Sequence, residues 1–366
     1  MKRHRNVLII GGGSIGLATA LELALRGVSV TVLSRNLQEA ALHAAAGMLA
    51  PQAEGILPGP MLELCLRSRS LYPEWASKLK SLTGIDPEYW QCGIIAPLYR
   101  DVERFQGAEV DEPKENRWCD RPSLNTLQPN LGHEITGGWW FPEDGQVNNQ
   151  AMAQALRVAV QQLGVTLCDG VTVERIAHDG DRVTGVHTAD DVYEADCYLL
   201  ATGAWTGELL SIPVVPRKGQ MLSLRSKTGE QPLRHVLFGN GIYIVPRQDG
   251  RVVIGATSED VGFTLHNTSA GIQQLLTESS RLYPPLQDWI FERSWWGFRP
   301  ATPDELPILG ASPYKNLMLA TGHYRNGILL TPITAVLLTE LICDRWVDPL
   351  LDAFGYGRFD GVNRSD

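Results

Sequence analysis

At 366 residues the chain exceeds what one ordinary core accommodates and suits two domains, each burying its own apolar interior. Hydrophobic residues at 44%, charged residues at 20% and no apolar run near the roughly 20 residues of a membrane helix point to a soluble globular protein without a membrane span. A formal net charge of −9 argues against a phosphate-backbone partner, since nucleic-acid binders normally carry a basic face that releases counterions, and a small molecule is the expected partner.

The basic start Met1-Lys2-Arg3-His4-Arg5 leads into an apolar stretch with the outline of a signal peptide. That stretch is short, ends in Gly11-Gly12-Gly13 and lacks a small-residue cleavage site, so a first strand over residues 7–10 is expected instead. Its unbroken apolar character is that of a strand buried on both faces. The Gly-rich interruption at 11–16, a helix over 17–26 and a strand over 28–33 complete a βαβ unit of about 30 residues. Asn148 and Asn149 are good caps for a helix that carries Ala151, Met152, Ala155, Leu156 and Val160 at helical spacing and stops at Gly164. Short strands follow near 165–167 and 183–186. The apolar run over 195–202 reads as a buried parallel strand feeding the tight turn Ala201-Thr202-Gly203-Ala204-Trp205.

From 216 to 257 the texture alternates, with segments at 221–224, 242–246 and 252–255 separated by turn residues such as Gln248-Asp249-Gly250, the pattern of an antiparallel sheet. The buried-strand pattern returns at 317–320, and a long apolar helix follows over 328–343. The nucleotide-binding domain is therefore expected to be discontinuous, made of residues 1–82, 147–213 and 297–366, with a substrate domain of residues 83–146 and 214–296 inserted into it. The polar, Gly-rich end from Asp352 to Asp366 is expected to be disordered. Six cysteines (Cys65, Cys92, Cys119, Cys168, Cys197 and Cys343) show no C-x-x-C pair, so neither a metal site nor a disulfide framework is signalled, and a reducing, cytoplasmic setting is expected.

Gly11-Gly12-Gly13-Ser14-Ile15-Gly16 satisfies G-x-G-x-x-G between a strand and a helix, the context that gives the motif meaning. Gly11 permits the sharp turn, Gly13 lets the backbone approach a pyrophosphate, Gly16 lets helix and strand pack closely, and the helix N-terminus at Ser14 and Ile15 meets the anion. The acidic residue that usually ends the second strand and holds the adenosine ribose is replaced by Ser34-Arg35. The serine hydroxyl can serve the ribose, or the arginine a 2′-phosphate, so FAD and NADP both stand at this point. Downstream, His43-Ala44-Ala45-Ala46-Gly47-Met48-Leu49-Ala50 is a small-residue segment suited to close backbone approach to something flat.

These two segments, with the Ala201-Thr202-Gly203 turn, Pro216-Arg217-Lys218-Gly219-Gln220, Tyr243-Ile244-Val245-Pro246-Arg247, Gly297-Phe298-Arg299-Pro300 and Gly322-His323-Tyr324-Arg325-Asn326-Gly327, occur in an order that resembles the glycine oxidase branch of the D-amino-acid oxidase family, in particular the glycine oxidases of thiamine biosynthesis, over nearly the whole chain. The resemblance implies an α/β protein with a Rossmann-like, glutathione-reductase-like FAD-binding domain and an inserted antiparallel-sheet substrate domain. It implies Arg299 as the substrate-carboxylate arginine, whose guanidinium is a rigid two-donor fork. Tyr243 would contact the same carboxylate, and Arg325 would lie beside the flavin ring. Met48 would lie near flavin and substrate, although methionine is as often mere packing. FAD contacts are implied for Ala46, Gly47, Val173 and Gly203, and for His323, Tyr324, Arg325, Asn326, Gly327, Ile328 and Leu329, which would open the final helix toward the flavin. His323 is expected as a structural donor rather than a base.

Relatives that hold FAD covalently use a cysteine, and residues 319–327 contain none, so a non-covalent cofactor is expected. Gly241, Trp295 and Trp296 are candidates for setting pocket size. The activity implied is oxidative deamination of glycine, sarcosine or small D-amino acids, with O2 as acceptor and H2O2 as product, in a homo-oligomer that the family likeness makes a tetramer. Two rivals stand beside it: a flavin dehydrogenase feeding a quinone or protein carrier, and a non-catalytic NADP-binding protein built on Ser34-Arg35.

Overall fold

A computed structural model describes residues 6–99 and 116–359. Its first sheet has six strands in the order Ile308–Ala311, Leu317–Thr321, Cys197–Leu200, Asn6–Ile10, Ser29–Ser34 and Thr166–Asp169. All neighbours run parallel except the first pair. The apolar run at the N-terminus is central, pairing Ile9 with both Leu199 and Val32. Burial on both faces explains why it reads as a continuous hydrophobic run rather than an alternating one.

Helices Ser14–Leu25, Pro60–Thr83, Asn149–Gln162 and Thr331–Cys343 cover one face and share a core with it. The Asn148 side chain caps the third of these by accepting from the N–H groups of Gln150 and Ala151, as its sequence position predicts. A three-stranded sheet of Val173–Asp179, Arg182–Thr188 and Val192–Tyr193 packs on the opposite face.

The second sheet has eight strands in the order Ile290–Ala301, Val215–Arg225, Arg251–Gly255, Ile242–Pro246, Val236–Gly239, Ile94–Tyr99, Ile135–Phe141 and Arg117–Asp120. Its pairs are antiparallel apart from Val236–Gly239 beside Ile94–Tyr99. Alternation sends Leu222, Leu224, Ile244 and Ile254 to a core shared with helix Ser269–Leu282, while Met221, Val245 and Val253 join a cluster on the other side with Ala46 and Ala50.

Four features depart from the sequence expectations. Strand Ile290–Ala301 runs through the expected domain boundary at 297. Helix Pro60–Thr83 has no counterpart there; it carries Pro73 in its interior but keeps Leu64, Ser68, Tyr72, Trp75 and Leu79 on one buried stripe. The last long helix starts at Thr331, because Tyr324–Asn326 forms a separate 3-10 turn. The expected disorder after Asp352 is corrected for residues 352–359: Phe354 and Phe359 are buried in the two cores on either face of the first sheet. Residues 360–366 lie outside the described residues. Among the described residues no helix is long and apolar enough to cross a membrane.

Candidate active site

A cavity of about 380 Å³ runs from the Gly-rich turn, past the small-residue segment, to the inner face of the second sheet. At the first end, Gly11 has φ +116°, and a Cβ there would fall 2.2 Å from the Ala201 carbonyl oxygen. At Gly16 a Cβ would fall 2.0 Å from the Gly11 carbonyl oxygen, so the helix can seat on the turn only through glycine. Gly13 differs: its nearest neighbour would be 3.9 Å away, leaving its backbone open on the cavity side. Gly13 also caps helix Ser14–Leu25 without a side-chain acceptor, so no side chain competes for the first-turn N–H groups at Ser14 and Ile15, which line the cavity. These are the properties a dinucleotide pyrophosphate needs, and the residues fit it.

Ser34, Val173 and Gly203 line the same end. Arg35 lies there too, but its Nη2 is 2.7 Å from Glu39 Oε2 and its guanidinium sits 4.7 Å over the Trp205 ring. Its charge is already paired, and the Glu39 carboxylate, itself on the cavity wall, would repel a 2′-phosphate. Arg35 therefore meets the cavity with its charge engaged by Glu39 and its guanidinium stacked on Trp205.

Midway, the small-residue segment is held by its own carbonyls. Asn149 Nδ2 donates to Leu42 O at 2.8 Å, Trp295 Nε1 to Ala44 O at 3.0 Å and Arg247 Nη2 to Ala46 O at 2.7 Å. Gly47, at φ +80°, could not carry a Cβ, which would meet Val147 O at 2.0 Å. Arg247 also bonds to Gln146 and Asn149. Burial lowers its pKa to about 10, which still leaves it charged.

The far end gathers Met48, Tyr243, Arg299 and Arg325 along the cavity, together with Glu54, which sequence reasoning passed over. Arg299 Nη1 donates to Thr257 O at 3.2 Å. Tyr243 Oη donates to Met221 Sδ at 3.3 Å. Burial raises the phenol pKa against the opposing pull of Arg299 and Arg325, so the hydroxyl stays protonated and able to donate. Arg325 Nε is 3.4 Å from Glu54 Oε2. Burial raises the Glu54 carboxyl above its ordinary value, against the lowering effect of Arg325 and Arg299.

The turn that carries Glu54 is fixed from below. Ala53 N–H donates to Asp144 Oδ2 at 2.9 Å, and Arg69 Nη1 reaches Asp144 Oδ1 at 2.6 Å. His323 lines the cavity but is buried, with Nε2 3.2 Å from Thr334 Oγ1, and burial lowers its pKa to about 3, so it is neutral near pH 7.

Some expected residues fall elsewhere. Gly16, Asn326 and Leu329 do not line the cavity: Gly16 packs against the turn, the Asn326 carbonyl accepts from Leu330 N–H at 2.8 Å, and the Leu329 carbonyl accepts from Ser68. Trp295 and Trp296 are not on the wall either, since the first props the Ala44 carbonyl and the second is partly exposed; Gly241 is on the wall, and Trp205 joins it unforeseen. None of the six cysteines lines the cavity.

The FAD dependent oxidoreductase family model matches residues 6–341. The chain is 57% identical over 360 residues to the bifunctional protein ThiO/ThiG of Nostoc sp., covering 97% of this chain but 55% of that one, so it spans about half the length of that relative. It is 35% identical over 361 residues to the glycine oxidase of Geobacillus kaustophilus, covering 93% of this chain and 94% of the relative. A crystal structure of glycine oxidase from Geobacillus kaustophilus superposes with a TM-score of 0.89 at 32% identity, covering 97% of this chain and 99% of that one.

Proposed function

The chain belongs to the FAD dependent oxidoreductase family, and on that premise we propose that it oxidises glycine, and with it sarcosine and small D-amino acids, to the imine, with O2 as acceptor and H2O2 as product. One observation carries the reading: a single cavity joins a dinucleotide-binding turn to a wall bearing Arg299, Tyr243 and Arg325. The similarity to glycine oxidases over more than nine-tenths of both chains supports glycine as substrate. The likeness to ThiO/ThiG supports delivery of the product to thiamine thiazole assembly.

Bound FAD supplies a two-electron acceptor for the Cα hydride and passes the pair to O2. Its pyrophosphate would be held by the backbone of Gly11, Gly13, Ser14 and Ile15, its ribose by Ser34 and its flavin end by Ala46, Gly47 and Met48. With no cysteine on the wall, a cysteinyl linkage is excluded and the cofactor would be held non-covalently. Arg299 presents a two-donor fork to the substrate carboxylate, and the protonated Tyr243 hydroxyl adds a third donor, which together fix the direction of Cα. Arg325 adds positive charge to the same wall. Loss of a hydride from Cα and a proton from nitrogen leaves the imine, which water converts to the 2-oxo acid and ammonia.

The test is the absorption spectrum of the purified protein before and after glycine is added without oxygen. The proposal requires a flavin spectrum that bleaches with glycine and returns rapidly in air. A flavin that bleaches but reoxidises slowly points to a dehydrogenase with another acceptor, and one that stays oxidised removes glycine as substrate.

A further inference from the structure

An amino acid in neutral water carries an ammonium group, yet the nitrogen must offer its lone pair before a hydride can leave Cα and a C=N bond form. Something must take that proton. We propose that Glu54 is the base that accepts it, so that the cavity binds the zwitterion and prepares the neutral amine. The inference rests on the amino-acid oxidase reading given above.

The cavity wall holds three acidic side chains, Glu39, Glu208 and Glu54, and only Glu54 belongs to the substrate end. Its side chain is 11% exposed, and among the described residues its one ion-pair partner is Arg325, at 3.4 Å through one oxygen. The second oxygen, Oε1, makes no hydrogen bond among the described residues. The pair is thus loose enough to be remade when a ligand enters.

Among the described residues, the groups packed against Glu54 are cations or protonated donors. Arg325 approaches from the 3-10 turn, with Tyr324 beside it, Arg299 from strand Ile290–Ala301, Tyr243 from strand Ile242–Pro246, and Cys65 from helix Pro60–Thr83, with Asp144 near Cys65. Burial pushes the Cys65 thiol far up and keeps the Tyr243 phenol protonated, so neither is a base near neutral pH. Burial also lifts the Glu54 carboxyl, which makes it a better acceptor than a solvated glutamate.

The balance is simple. The ammonium N–H bond breaks, an O–H bond forms on Glu54, the nitrogen keeps its electron pair and nothing is oxidised. Once Glu54 is neutral its attraction for Arg325 falls, and that guanidinium is released toward the substrate carboxylate. Two arginines then face one anion, so proton transfer and carboxylate binding reinforce each other.

The test compares FAD-loaded wild type and Glu54→Gln. For glycine, kcat/KM of the variant should fall roughly 10²-fold or more at pH 7 and recover about tenfold per pH unit toward the pKa of the free amine, because the variant must wait for substrate that is already neutral. Glu54→Asp should retain most of the activity. In parallel, acetate, a carboxylate without an ammonium, is titrated by its perturbation of the flavin spectrum; Glu54→Gln should bind it at least as tightly as wild type, since a negative charge has gone. A loss of the same factor at every pH, or weaker acetate binding by the variant, overturns the proposal by reducing Glu54 to a structural part. Wild type that glycine and other small amino acids cannot reduce defeats the activity itself, and this proposal with it.

Discussion

Gly219 offers a way to move Arg299 without removing it. A Cβ at Gly219 would lie 2.6 Å from Arg299 Nη1, 2.7 Å from Nη2 and 2.8 Å from Cζ. Ordinary carbon contacts begin near 3.5 Å, so Gly219→Ala asks the guanidinium to retreat by roughly 0.8–1 Å. The atoms in the way are the end of a long side chain, and Gly219 lies within a regular antiparallel pairing opposite Gly297, so fold and cofactor should survive. A displacement of about 1 Å in a substrate-positioning group can cost about 10²-fold, or about 2.7 kcal/mol of transition-state stabilisation. The assay is steady-state oxidation of glycine alongside thermal unfolding and the flavin spectrum. A variant with normal flavin content, a Tm close to wild type and kcat/KM lowered 10- to 100-fold is expected. Unchanged kcat/KM would refute the argument, because it would mean that Arg299 is free to move without consequence.

Arg299→Ala should raise KM for glycine at least tenfold, a loss of about 1.4 kcal/mol, and an unchanged KM in initial-rate measurements would take Arg299 out of the site. The buried His323 makes stability pH-dependent with a definite sign. Its pKa is lowered from 6.5 to about 3 in the fold, so the unfolded chain takes up a proton that the folded chain refuses as pH drops. Stability from this group is present above pH 6.5 and is lost as pH falls toward 3, approaching about 1.4 kcal/mol per unit, or about 2.3 kcal/mol between pH 6.5 and 4.5. Urea unfolding across that range should therefore show a gentler decline in His323→Asn than in wild type; identical slopes would show that His323 is not the titrating group.

The glycine turn, the capped helix after Asn148 and the alternating strands were legible because each follows from a local rule: which residue tolerates a turn, which side chain caps, which face is apolar. Arg299 and Tyr243 were legible from motif likeness. Glu54 was not, for its neighbours Pro51-Gln52-Ala53 and Gly55 form a turn without period, and its position is set by Asp144 and Arg69 from other parts of the chain. Arg247 was hidden for another reason: an arginine just past the end of a strand is ordinarily solvent-facing, yet this one is 4% exposed. The tail misled because glycine and polar residues outnumber Phe354 and Phe359, although those two rings, with the Arg358–Asp304 ion pair, anchor it. Local composition does not say which few residues find a core.

The segment from Leu42 to Met48 is where the two sheets meet, and its carbonyls explain how the cavity keeps its shape. Asn149, from a helix of the first sheet, holds Leu42; Trp295 and Arg247, from the second sheet, hold Ala44 and Ala46. Burying a guanidinium costs free energy unless its donors are matched, and Arg247 is matched by Gln146, Asn149 and a backbone carbonyl that lies between the sheets. The same charge that would be costly in either core alone is stable only while both are docked. The wall that carries Arg299 and Tyr243 is thereby tied to the turn that carries Gly11 and Gly13, and a cofactor bound at one end and a substrate bound at the other would be kept in register by a buried cation that does not line the cavity.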